Sequence, residues 1–287
     1  MFGRLLIACF VFLEIAAATA AEMSKTVLLL GQKRDHPAGT HEYFSGLHVL
    51  ARCLQRVPCL DVFLVNVDGT WPQGPAMIGR ADALVLFLGE GAKWQQSDPQ
   101  RKQALDAFLA RGGGLVGLHW AVGAKDAKYI PDFLRALGGM HGGPDRQYTI
   151  CTTDVTLASP KHPILCGVEP LSLNDEYYYR LKFAASGKVT PLLTASIEGK
   201  AETCAWAFER PDGGRSFGFV GMHHHANWRQ TACRRLTAQA VLWTLGLPIP
   251  PEGLNVDLSE DEYQIRPDPP IGSVQKYNAA GPVDAGK

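Results

Sequence analysis

Through the first half of the chain, short unbroken apolar runs alternate with amphipathic stretches. Residues 26–30 (TVLLL), 60–66 (LDVFLVN), 83–88 (ALVLFL) and 114–119 (GLVGLH) lack polar alternation, as strands buried on both faces do. Between the first two, Phe44, Leu47, His48, Leu50, Ala51 and Leu54 recur every three or four positions. That spacing predicts a helix of about 14 residues with Thr40 as its cap. Asp98-Pro99 opens a second helix, with Ala104, Leu105, Phe108 and Leu109 on its inner face and Gly112 ending it. Strands alternating with helices predict an α/β fold, a mostly parallel sheet with helices on both faces. In such sheets ligands bind beyond the carboxyl ends of the strands.

Beyond residue 140 the pattern changes. QYTICTTDVTL, ETCAWAFER and SFGFVG look like strands, with Pro211-Asp212-Gly213-Gly214 as the turn between the last two. An amphipathic helix over roughly 230–245 aligns Leu236, Ala240 and Trp243. After Gly246 come seven of the 19 prolines and no period, so residues 249–287 are expected to form an extended tail or strap rather than a domain. At the other end, Arg4, an apolar run from Leu5 to Leu13 and Ala18-Thr19-Ala20 have the layout of a secretory signal peptide over residues 1–21. The expected protein is therefore periplasmic or secreted. No stable membrane span would remain after cleavage, because the run is shorter than the ~20 residues a span needs. The domain proper occupies 25–248, and no internal repeat is visible.

Lys+Arg and Asp+Glu balance at 28 each, so no global field steers the chain onto nucleic acid or an anionic membrane. Six cysteines lie beyond the leader, none in CxxC spacing, which excludes a zinc ribbon or a thioredoxin-type dithiol. Buried free thiols are expected, since a core this large needs no staples.

The nine histidines cluster. His36-Pro-Ala-Gly-Thr-His41-Glu42 places two imidazoles and a carboxylate in the loop after the first strand. The bland alternative is a polar loop at a helix start. Gly117-Leu-His119-Trp120 sets a histidine at a sharp strand-to-helix turn, where G-x-S-x-G enzymes hold their nucleophile. Histidine there suits a metal ligand or proton carrier; the alternative is a packed strand end. Gly221-Met-His223-His224-His225-Ala-Asn227-Trp228 follows a strand, and extended backbone would point His223 and His225 the same way. Two imidazoles on one face, completed by a third group from elsewhere, match a metal site with an open position; a solvated histidine run is the alternative. Asn174-Asp175-Glu176-Tyr177-Tyr178-Tyr179 joins carboxylates to aromatics, which serve acid/base chemistry and sugar stacking or simply fill a core. His48, His141 and His162 read as a helix-face, a loop and a turn residue.

HPAGTHEY, GLHW, SPKHPIL, NDEYYY and RSFGFVGMHHHANW, in this order, resemble the ThuA-like family, named for trehalose utilisation. The resemblance covers roughly residues 25–248. It implies a class I glutamine amidotransferase-like fold, a flavodoxin-like three-layer sandwich. It further implies that His41, Glu42, His119, Glu176 and His223 surround the site, joined by His225, Asn227 and Trp228. Amidotransferases carry cysteine at the elbow where this chain has His119, so the resemblance implies sugar chemistry rather than glutamine hydrolysis. The resulting expectation is an enzyme acting on a disaccharide or 3-keto-sugar. A divalent metal, zinc first among candidates, would be held by His41, His119, His223 and His225. Glu42, Glu176 and His119 would move protons, while Trp120, Tyr177, Asn227 and Trp228 would bind the sugar. Hydrolysis, isomerisation and elimination remain open, as does the oligomeric state. A non-catalytic carbohydrate-binding protein with the same pocket, or a scaffold docking through the tail, are the other readings.

Overall fold

The computed structural model describes residues 24–278 and 281–284. The leader expected at 1–21 lies outside them. Four apolar runs become β1 (Lys25–Gly31), β2 (Leu60–Asn66), β3 (Ala83–Phe87) and β4 (Gly114–Leu118). They pair in parallel in the order β2-β1-β3-β4. The intervening helices are α1 (Tyr43–Leu54), α2 (Gly74–Arg80), α3 (Gly91–Gln96) and α4 (Pro99–Ala110). Right-handed crossovers send the leftward β1–β2 connection and the rightward ones to opposite faces. The Asp98 carboxylate accepts from Arg101 N at 2.8 Å, capping α4 as expected. Thr40 does not cap α1: the helix begins at Tyr43, and the Thr40 hydroxyl donates to Pro37 O instead.

The chain then forms β5 (Gly123–Ala124), α5 (Ile130–Leu137) and β6 (Gly139–Gly142), followed by β7 (Gln147–Leu157), β8 (Leu171–Tyr179) and β9 (Lys182–Phe183). After these come β10 (Lys188–Ile197), β11 (Lys200–Glu209), β12 (Arg215–Phe219) and α6 (Thr231–Thr244). β12 joins β4 in parallel, so five central strands share one direction; β11, β10, β7 and β8 extend the sheet antiparallel beyond it. β5, β6 and β9 make a separate three-stranded patch. Gly123 is required there, because a Cβ would lie 2.2 Å from His141 O. His141, expected in a loop, lies instead on β6 and is buried.

The proline-rich segment wraps the molecule. β13 (Val274–Asn278) adds to β2 antiparallel and β14 (Gly281–Asp284) adds to β13, so the strap completes an eleven-stranded sheet. His48 is buried under it. Its Nδ1 bonds Tyr277 Oη at 2.8 Å and its Nε2 meets Glu262 Oε2 at 2.7 Å, while Arg52 Nε donates to Glu262 Oε1. All six described cysteines are free thiols, three of them buried. Among the described residues no helix is long and apolar enough to cross a membrane.

Candidate metal centre

Three loops leave the carboxyl ends of parallel strands β1, β4 and β12, where an α/β sheet presents its ligands. Each bends its backbone sharply to deliver an imidazole. His41 has φ +49°, His119 +51°, and Met222, just before His223, +83°. Left-handed backbone at a non-glycine residue costs about 1–2 kcal/mol, so three such positions around one spot mark geometry held by the surrounding fold. The first and third loops are joined backbone to backbone: His41 N donates to His223 O at 3.0 Å and His225 N to Gly39 O at 2.9 Å. The third loop is also held from β8, where the buried Asp175 carboxylate accepts from Met222 N at 2.6 Å and His223 N at 3.0 Å. Burial pushes the Asp175 carboxyl up, and the nearby His119 and the backbone N–H groups pull it back in part.

The imidazoles meet. His119 Nε2 lies 2.9 Å from His41 Nε2 and 3.2 Å from His223 Nδ1, and His41 Nε2 lies 3.1 Å from His223 Nδ1. Glu176, projecting from β8, brings Oε2 to 2.8 Å from His223 Nδ1 and 3.5 Å from His119 Nε2. These four atoms lie within 4.8 Å of one another, and all four residues are buried. Ligands ~2.1 Å from a tetrahedral zinc stand about 3.4 Å apart, so the group needs only slight expansion to hold such an ion.

Tautomers sharpen the point. Asp35 Oδ1 accepts from His41 Nδ1 at 2.7 Å, and Val220 O accepts from His119 Nδ1 at 2.7 Å. Burial holds the His41 imidazole down at about 4, only partly opposed by its Asp35 hydrogen bond, so it is neutral at pH 7. With its outer N–H committed to Asp35, the neutral His41 turns its Nε2 lone pair into the cluster. An electron-pair acceptor placed there would satisfy it. Outward carboxylate or carbonyl anchoring of this kind is how metal-binding histidines are oriented. Burial raises the Asp35 and Glu176 carboxyls, but the adjacent imidazoles outweigh it and hold both well below the usual carboxylate range.

A cavity of about 260 Å³ opens over Glu176 and His41. Its walls are Trp120, Tyr178, His141 and His36, with Tyr148, Lys125 and Arg146 around them. Tyr178 is layered between two imidazoles, 5.0 Å from His119 and 4.0 Å from His141, both near parallel. Burial, and behind it the Arg146 charge, pull His141 down to about 3.

Of the residues expected from sequence, His41, His119, His223, Glu176 and Trp120 come together here. Five do not. His225 opens a 3-10 turn (His225–Arg229), so strand alternation does not apply to it, and its Nε2 donates to Tyr263 O at 2.9 Å. Glu42 turns away and accepts from Gly39 N and Arg34 Nη1 at 2.8 and 2.7 Å, bracing the loop. Tyr177 lies on the other face of β8, its hydroxyl donating to Leu173 O. Asn227 donates to Asn174 O, tying its turn to β8. Trp228 is fully buried against Phe87 and Gly46, with no access to the cavity. Sequence reasoning missed Tyr178, although taking NDEYYY as a strand pairs it with Glu176 on one face. It also passed over Asp35, next to His36 in sequence, and His141, for which no local signal exists.

The family described as ThuA, trehalose utilisation, matches residues 76–244, and the chain belongs to it. A comparison with curated proteins finds no match. Among solved structures, a ThuA-like protein from Bacteroides uniformis is similar at TM-score 0.60 and 14% identity, covering 80% of this chain and 94% of that one. A glutamine amidotransferase from Thermotoga maritima is similar at TM-score 0.37 and 13% identity, covering 77% of this chain and 90% of that one.

Proposed function

We propose that this member of the trehalose-utilisation family is a metal-assisted enzyme acting on a disaccharide or 3-keto-sugar. The observation that carries the reading is the meeting of His41 Nε2, His119 Nε2, His223 Nδ1 and Glu176 Oε2 with outward N–H groups already engaged. These four residues would hold a divalent ion, zinc first among candidates. When bound, such an ion polarises a carbonyl or lowers the pKa of a water. The chain supplies the rest. Asp35 and Val220 O fix two imidazoles, Tyr178 offers a hydroxyl 3.2 Å from His119 Nε2, and Trp120 with the exposed Tyr148 forms the aromatic wall on which a sugar face stacks. The same reading places the protein outside the cytoplasm, on the leader-like sequence of residues 1–21.

Metal analysis of protein purified without a histidine tag, together with turnover of disaccharides and 3-keto-sugars, tests this. Wild type should carry about one ion per chain and lose activity on chelation. The His41→Ala/His223→Ala variant should lose both metal and turnover. A variant that keeps both overturns the reading, and metal-free wild type that binds sugar without turnover makes the protein a carbohydrate-binding module instead.

A further inference from the structure

Lys125 and Arg146 both line the cavity above the histidine cluster, from the segments following β5 and β6. Neither forms an ion pair among the described residues. The carboxylates beside them are engaged elsewhere. Asp126 pairs with Lys128 at 2.9 Å, and Asp145 with Lys182 at 2.8 Å. Glu90 accepts from Lys125 N, a backbone group, rather than from the ammonium. Arg146 is half-buried, and its guanidinium donates only to Gly143 O, at 3.2 Å. A half-buried guanidinium whose acidic neighbour is bound to another cation keeps four of its five N–H donors free for a planar anion. The field reaches inward, since the Arg146 charge helps hold His141 neutral.

We infer that the cavity selects a sugar bearing an anionic group, a carboxylate or a phosphate, which Lys125 and Arg146 bind while the sugar ring faces Trp120. This rests on reading the cavity as the sugar site and narrows its substrate class. The Glu176 carboxylate in the same cavity is turned to the histidine cluster, 2.8 Å from His223 Nδ1 and 3.5 Å from His119 Nε2, where a divalent ion held by the cluster would offset its charge. Guanidinium and ammonium together supply both a bidentate fork and a point charge, which a neutral glycoside would leave uncompensated.

Calorimetric titration of the full-length protein with methyl glucuronide, glucose 6-phosphate and methyl glucoside tests the inference. At low salt at least one anionic probe should bind about tenfold or more tightly than the neutral one, and the preference should shrink at high salt. Lys125→Gln/Arg146→Gln should abolish the preference while metal content and melting temperature stay at wild-type values. Which anionic probe wins separates carboxylate from phosphate. Equal binding of neutral and anionic probes, no binding of either anionic probe, or a preference that survives in the double variant each overturn it. Metal-free wild type with the preference intact would sink the metal reading alone.

Discussion

His41 and His119 bring nitrogen to nitrogen at 2.9 Å in the interior, which makes the local protonation state decisive. The ordinary imidazole value is near 6.5, yet burial holds His41 at about 4 and His141 at about 3. A depressed folded-state value means the unfolded chain takes up protons first. Stability is therefore complete above about 6.5 and falls as the pH drops through 6.5 toward 4. At pH 5.5 each of these histidines should cost roughly 1.4 kcal/mol, or about 3 kcal/mol together. Urea midpoints of metal-stripped protein at pH 7.5 and 5.5 measure this. Equal midpoints would show that neither imidazole is held neutral by the fold.

At the scale of elements, β8 does two jobs through alternation. One face aims Glu176 and Tyr178 at the cavity; the other aims Asp175 at the backbone of the His223 loop. Asp175→Asn replaces one acceptor oxygen with a donor facing backbone N–H groups. It should cost about 1–3 kcal/mol and weaken metal binding about 10–100-fold, read by chelator competition. Wild-type metal affinity in that variant would mean the loop is held by other contacts. The central strands were legible because a run such as ALVLF can only be buried on both faces. β8 was not, because NDEYYY reads equally as chemistry or core until its partner β7 sets the register. His225 differs from expectation for a related reason: two-residue alternation stops where the 3-10 turn begins, at the bond from Asn227 N to His224 O, and no sequence pattern marks that point. The orientations of Tyr177, Asn227 and Trp228 are likewise set by tertiary pairing, which composition does not encode.

For the whole molecule, an extended strap is legible in the proline-rich composition, but its pairing into the sheet is not, because seven prolines argue against a strand. The strand that joins β2, β13, lies past the prolines at 267, 269 and 270. Ending the chain after Pro248 would uncover the β2 edge and leave His48 and Arg52 without Glu262. Exposed edges template association. The truncated protein should elute as oligomers or aggregates in light-scattering chromatography and melt well below the full chain. A monodisperse product with an unchanged melting point would show the strap to be dispensable.

Leu64 and Gln275 are neighbours in the sheet yet more than two hundred positions apart along the chain. A ribosome making this protein therefore releases β2 long before its outer partner exists. Until residues 274–278 emerge, the growing polypeptide displays an open row of amides along β2.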